Sequence, residues 1–413
     1  MVPGIAVGRG LVVLAGPDNG REPMSVPDHL RLTPHELCIA VPIGQAPDVL
    51  SLPLPNGRSP RAALEDAVAG ALARPPCLVS FSGGRDSSAI LALACHVART
   101  RGLEAPIAVT HRFPQAPETD EREWQEVVVG RARPEGWLRL EWTDELDMLG
   151  PRALAVLDRH GPLFPHNAHF MDLMVERAAG GSLLTGVGGD ELFGTTARPL
   201  ATALCFARRR PARRELRRLA LELAPRALRV EVGARRSPFA GLDWIRPAAR
   251  VQIGRAFAAA EAEHPLRWDR GLAHFWSSRY ARAALATLEA LGEAHGTRVI
   301  SPFFDPGVLA ACAARFGAAG MRSREDGLRE LHGDLLPERL IERRGKARFD
   351  APLFGPVSRT FVERWSGDGV DGRLVDTAAL RAQWRSERPA GNSFALIHRA
   401  WLAERGDGRA SVS

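Results

Sequence analysis

The chain predicts an α/β fold, a doubly wound parallel sheet followed by a largely helical C-terminal part, and three features point to it. Four short strand-like runs, at 77–81, 107–110, 137–142 and 182–185, alternate with longer helical segments, the order expected of β-α-β units. Two of these runs empty directly into glycine-rich turns, at 82–88 and 185–194. Beyond the second turn, apolar residues recur mostly at helical spacing to about residue 403.

Residues 1–60 are rich in Pro and Gly, with strand-like runs at 10–15 and 37–42, and read as a small β-rich extension. A helix follows over 60–73, with Ser59 placed to cap it and Pro60 in its first turn. The run at 77–81 is apolar throughout, as a strand buried on both faces should be, and a helix is expected over 87–101. Helix 121–132 separates the second and third strands. The main domain spans 61–403, and 404–413 read as a frayed tail.

Composition excludes several classes. The chain has 413 residues, 45% of them hydrophobic, enough for one large core or two modest ones. It contains no apolar run near the roughly 20 residues that cross a bilayer and no signal-peptide pattern, so a soluble cytoplasmic protein is expected. Cys38, Cys77, Cys95, Cys205 and Cys312 are scattered and form no C-x-x-C pair, the pattern of buried thiols and not of a disulfide framework or zinc knuckle. The net charge is +7, and residues 208–236 carry eleven Arg against three Glu. That stretch reads either as a patch for nucleic acid, an acidic peptide or a phosphorylated substrate, or as amphipathic helices with Arg outside and Leu inside. The absence of interleaved aromatics favours the second reading.

Of 55 basic side chains a single one is lysine, Lys346. A site that needs a compact ammonium is one where Arg cannot replace Lys. Its context, RRGKARFD, fits neither a Walker A loop nor a kinase strand lysine.

The chemistry is concentrated in the two turns. Ser82-Gly83-Gly84-Arg85-Asp86-Ser87-Ser88 lies between a strand and a helix, where backbone N–H groups and the helix dipole cradle an anion. The glycines allow close approach, and Asp86 would repel that anion unless a cation such as Mg²⁺ lay between them. Thr185-Gly186-Val187-Gly188-Gly189-Asp190-Glu191 repeats the same arrangement after another strand. Ligands of doubly wound sheets bind at the carboxyl ends of strands, so both loops should face one crevice with Asp86 and Asp190 sharing a metal.

These loops resemble those of a known family. SFSGGRDSS is similar to the pyrophosphate-binding loop of the N-type ATP pyrophosphatases, and TGVGGDELFG to the second signature of asparagine synthetases. Ala294-His295-Gly296, Ser301-Pro302-Phe303-Phe304-Asp305 and the segment Arg344-Gly345-Lys346-Ala347-Arg348-Phe349 resemble later stretches of the same family, in the same order. The resemblance implies a sheet of the adenine nucleotide α-hydrolase type that binds ATP and Mg²⁺. It implies that Ser82, Gly83, Gly84, Asp86 and Ser87 hold the pyrophosphate part of ATP, with Gly188 and Gly189 in the second loop. By the same resemblance Val109 and Gly186 lie against adenine, Asp86 and Asp190 hold the metal, and Lys346 contacts the phosphates and an acyl-adenylate. The implied reaction is adenylation of a carboxylate followed by attack of an amine, with AMP released.

Two departures qualify the resemblance. Val2 follows Met1, and only 81 residues precede Ser82, so a glutaminase domain with its N-terminal Cys is not expected. Val187 stands where asparagine synthetases carry Glu and β-lactam synthetases Tyr. The G-x-G-G-D form looks more like lasso-peptide cyclases and other natural-product relatives, which points to specialised-metabolite or modified-peptide biosynthesis, including macrolactam formation. A tRNA- or nucleotide-modifying ATP pyrophosphatase and a catalytically impaired binding partner are the rival readings. Of the remaining candidates, His295 and Tyr280 read as structural and Asp305 as a helix cap, while His166 and His169 either line an acceptor pocket or cap and turn the chain.

Overall fold

Five short strands form, the central three of them apolar: β1 (Cys77–Ser80), β2 (Ile107–Arg112), β3 (Gly136–Glu141), β4 (Ser182–Leu184) and β5 (Arg298–Ile300). In this computed structural model, which describes residues 26–48, 51–54, 57–194, 213–345 and 350–410, they make one sheet in the order β3-β2-β1-β4-β5. Every neighbouring pair is parallel. The fold is therefore α/β with a parallel sheet and a largely helical remainder, as the alternation of runs predicts. From β1 the chain moves outward to β2 and β3, then returns to β1's other side for β4. That reversal opens a crevice at the carboxyl ends of β1 and β4.

The central strands are buried on both faces. Val79, Phe81 and Leu184 pack with the Pro60–Leu72, Arg85–Arg101 and Pro306–Phe316 helices on one side. Leu78, Val109 and Leu183 pack with the His169–Arg177 and Arg279–Ala294 helices on the other. A third cluster, centred on Trp244, Trp365, Trp384 and Phe394, joins the last helices to Cys38 and Ile39. At about 1.5–3 kcal/mol per fully buried large apolar side chain, these three clusters supply the main favourable term.

The caps act as expected: the Ser59 hydroxyl accepts from the Ala62 N–H at 3.2 Å, and Asp305 Oδ1 accepts from Gly307 and Val308 at 2.8 and 3.0 Å. Elsewhere the structure corrects the sequence reading. Residues 37–42 form no strand. Thr33 and Glu36 make a reciprocal capping box that starts the Pro34–Leu37 helix, and Ala40 adopts φ 54°, which ends any extended run. The carboxylate of Glu36, buried, pairs with Arg279 and accepts the Ile43 N–H at 2.7 Å, fastening this segment to the body. The run at 10–15 lies outside the described residues. The last helix, Phe394–Ala410, continues past the expected fraying point, and β5 falls within a region read as helical.

The Arg-rich stretch forms the Arg213–Glu222 and Arg226–Arg235 helices, with 208–212 outside the described residues. Its arginines do pair outward, Arg226 with Glu263 at 2.8 Å and Arg235 with Glu231 at 3.0 Å. Its leucines do not all turn inward, since Leu216, Leu223 and Leu228 are exposed. Cys38, Cys77, Cys95 and Cys312 are free and buried, and burial pushes their thiols up to about 12, 11, 12 and 12 respectively. Cys205 lies outside the described residues. Among those residues no helix is long and apolar enough to cross a membrane.

Several histidines are held neutral inside this core. Burial pushes His111 and His166 down to about 4, and His332 and His398 to about 3. His111 is buried with both ring nitrogens paired: its Nδ1 accepts the Trp142 indole N–H at 2.7 Å, which only the neutral ring can do, and Nε2 donates to the Phe170 carbonyl at 2.9 Å. The unfolded chain protonates these rings near 6.5, the folded one not until pH 3–4, so their contribution is complete above 6.5 and is lost as pH falls towards 3. The melting temperature should therefore drop steadily between pH 6.5 and 4, with His111 alone accounting for on the order of 3 kcal/mol. A thermal melt series across that range checks this, and a His111→Gln chain should show a shallower slope.

Candidate active site

The β1 loop is folded upon itself by its serines. The Ser82 N–H donates to the Ser87 hydroxyl at 3.2 Å, the Gly84 N–H donates to the Ser82 hydroxyl at 3.3 Å, and the Ser87 hydroxyl donates to the Gly84 carbonyl at 3.2 Å. Gly83 has φ +90°, and a Cβ there would meet Gln125 Cγ at 2.8 Å. Gln125 in turn donates to the Ser82 carbonyl at 2.9 Å, so this glycine lets the Arg122–Ala132 helix buttress the turn. The Arg85–Arg101 helix begins at Gly84 with no side-chain cap, leaving its first-turn N–H groups to an anion.

The second loop rests directly upon the first. A Cβ on Gly186 would lie 2.8 Å from the Ser87 nitrogen, and one on Gly189 would lie 2.4 Å from Asp86 Cγ. Gly188, at φ +94°, leaves no room for a Cβ against Phe304. Thr185 anchors the loop's start: its hydroxyl is 2.7 Å from the Ser301 hydroxyl, and its N–H donates to the Ile300 carbonyl at 2.9 Å. These glycines make the loop-to-loop contact possible, a role beyond opening space for a ligand.

The contact brings Asp86 and Asp190 onto one cation. Arg324, the first residue of the Arg324–His332 helix, reaches Asp86 Oδ1 and Oδ2 at 2.6 Å each through Nη2, and Asp190 Oδ1 at 2.6 Å through Nη1. Two carboxylates this close supply the hard oxygen donors that Mg²⁺ takes, so the residues present fit that ion. Two further arginines close the ring. Arg85 Nη1 donates to Glu325 at 3.2 Å and to the Ile341 carbonyl at 3.4 Å; Arg343 pairs with buried Glu121 and donates to the Gly83 carbonyl at 3.4 Å. Composition hides Arg324 and Arg343 among many arginines. The only available signal for Arg343 is its place immediately before the R-G-K segment.

Of the sequence candidates, Ser82, Gly83, Gly84, Asp86, Ser87, Gly186, Gly188, Gly189 and Asp190 therefore come together. Val109 stands next to the first loop by its backbone, paired with Ser80 and accepting the Phe81 N–H at 2.8 Å, while its wholly buried side chain packs in the core with Leu78 and Leu183. Lys346 lies outside the described residues. His166 and His169 are buried beside His398 around a void of about 10 Å³. His295 bonds Asp172 at 2.8 Å and is structural. Tyr280 packs on Phe164, as expected of a core aromatic, and its hydroxyl lies close enough to the Glu191 carboxylate to interact with it. Burial pushes the Glu191 carboxyl above the usual range, and Tyr280 only partly offsets this.

A parallel sheet with an anion loop at its switch point and two carboxylates meeting across it defines a nucleotide-binding α/β protein. Consistent with that class, the asparagine synthase family model matches residues 60–402, and the chain belongs to this family. It is thus, in general terms, an ATP-using amide-forming carbon–nitrogen ligase. No curated protein matches the chain.

The loop-to-loop contact is open to a direct measurement. Gly189→Ala should drive the Asp86 carboxylate from its place, since overpacking costs about 1–3 kcal/mol. Calorimetry with a non-hydrolysable ATP analogue and Mg²⁺ should show about tenfold weaker binding, with an unchanged far-ultraviolet circular dichroism spectrum.

Proposed function

We propose that the chain activates a carboxylate with ATP and passes the acyl group to an amine or ammonia. The carboxylate oxygen attacks the α-phosphorus and pyrophosphate leaves; the amine nitrogen then attacks the acyl carbon, the bond to the phosphate oxygen breaks, and AMP leaves with the amine's proton taken up by a base. The observation that carries this reading is the meeting of Asp86 and Asp190 on one cation directly beside the serine-bonded turn at 82–87. Asp86 and Asp190 would hold Mg²⁺, which supplies charge neutralisation at the phosphates. The uncapped helix start at Gly84 favours the departing pyrophosphate, and Arg85 and Arg343 fix the loop's shape. Lys346 is assigned to the charge that grows on the α-phosphate and acyl oxygens, following the family pattern.

The acceptor side supports a substrate larger than ammonia. A cavity of about 490 Å³ adjoins Asp190 through Glu191 and Tyr280, with walls that include Phe257, Trp268 and Phe275. That size and lining suit an organic ligand with a few fixed polar contacts. A modified peptide or other specialised metabolite fits this space, and ring closure to a macrolactam is the case in which acid and amine belong to one molecule. Val187, apolar and 36% exposed, takes no proton.

Incubation with ATP, Mg²⁺ and candidate carboxylates should give carboxylate-dependent exchange of labelled pyrophosphate into ATP, and AMP after amine is added. ADP as the product would sink the adenylation reading. Lys346→Arg should lower amide formation by about 10²–10³-fold although the charge is kept, because the guanidinium cannot reproduce a compact donor.

A further inference from the structure

Arg324 occupies the position that a metal ion would need. Its Nη2 reaches both carboxylate oxygens of Asp86 and its Nη1 reaches Asp190, all at 2.6 Å, and only 14% of its side chain is exposed. Its Nε is buried with no partner among the described residues, so Asp86 and Asp190 are what orient the fork. Local helix energetics oppose this arrangement: Arg324 is the first residue of its helix, where the macrodipole disfavours a cation. The next residue, Glu325, is tied to Arg85 at 3.2 Å, which fixes the helix start against the anion loop. The carboxylates therefore hold Arg324 in place against its helix.

A divalent ion bound through the same oxygens would sit about 2.0–2.1 Å from them. A guanidinium 2.6 Å from those oxygens would then crowd and repel it. The two cations exclude one another. The phosphates of a nucleotide seated on the 82–87 turn are the anions nearest to hand for a displaced Arg324.

We propose that Arg324 is a resident counter-cation of the metal site: it competes with a divalent ion for Asp86 and Asp190, and nucleotide phosphate, by offering the guanidinium another anion, lets the ion load. Metal and nucleotide then bind together, each strengthening the other, with metal alone binding poorly. This rests on the reading of the site as one for metal-bound ATP.

Mn²⁺ binding, followed by electron paramagnetic resonance, tests the competition without turnover. In the absence of nucleotide, Arg324→Met should bind one Mn²⁺ at least about tenfold more tightly than the unaltered chain, because a competing buried cation is gone. A non-hydrolysable ATP analogue should raise the Mn²⁺ affinity of the unaltered chain far more than that of the variant. Adding Asp86→Asn to Arg324→Met should abolish the gain, placing the ion at these carboxylates. Equal Mn²⁺ affinity with and without Arg324, or a gain that survives Asp86→Asn, overturns the proposal. Should Arg324→Met fail to fold, the unaltered chain decides: Mn²⁺ affinity independent of the nucleotide analogue overturns the coupling. Pyrophosphate exchange separates the two readings. Exchange without metal–nucleotide coupling removes the competition alone, whereas coupling without AMP production removes adenylation alone.

Discussion

Everything at the site depends on two backbone turns touching with no side chain between them. β1 and β4 are adjacent and parallel, so their carboxyl ends deliver the 82–87 and 186–191 loops side by side. Gly186 lies on Ser87 and Gly189 on Asp86, each closer than a Cβ permits. From that contact follow the meeting of Asp86 with Asp190, the common cation, and the direction of both helix starts. A bulkier residue at either glycine would part the loops and leave the carboxylates too far apart to serve one ion.

Charge compensation explains the remaining architecture. If the turn holds polyphosphate, as we propose, it needs positive charge, yet it carries its own carboxylate, Asp86. Arg324 neutralises Asp86 and Asp190, while Arg85 and Arg343 brace the turn from elements far along the chain. Arg343 and Glu121 are both largely buried, so their pairing joins the turn to the Arg122–Ala132 helix start away from solvent. The exposed pairs on the Arg-rich helices, such as Arg235 with Glu231, each contribute little beyond solubility. The basic side chains that matter to the site are thus a handful held by long-range contacts.

This divides what could be read in the sequence from what could not. β1, β2 and β4 declare themselves because strands buried on both faces read as apolar runs, and the glycine turns after β1 and β4 declare the site. β5 has three residues, Arg298-Val299-Ile300, too few to display a period, and it exists because Gly181, Thr185 and β4 offer it hydrogen bonds. The capping box at Thr33 and Glu36 was legible in principle but lost to the apolar composition of 37–42. Arg324 and Arg343 are invisible by composition, since one arginine among many carries no mark. Leu216 and Leu228 lie on the two Arg-rich helices and Leu223 just past the first, yet all three remain exposed, because periodicity reports that a helix has a face without saying that anything covers it.

The departure at Val187 falls where the loop is least constrained. Gly186, Gly188 and Gly189 are each held by a neighbour within 3 Å of where a Cβ would stand, and Asp190 by Arg324. Val187 is 36% exposed, its N–H bonding back to the Thr185 hydroxyl at 3.3 Å. A side chain at 187 can therefore change without disturbing the contact between the loops, whereas its neighbours cannot. An apolar side chain here takes no proton, so on the proposed reaction the base for the amine comes from another group. Glu191, from the same loop, and Tyr280 both line the cavity of about 490 Å³ and offer polar groups there.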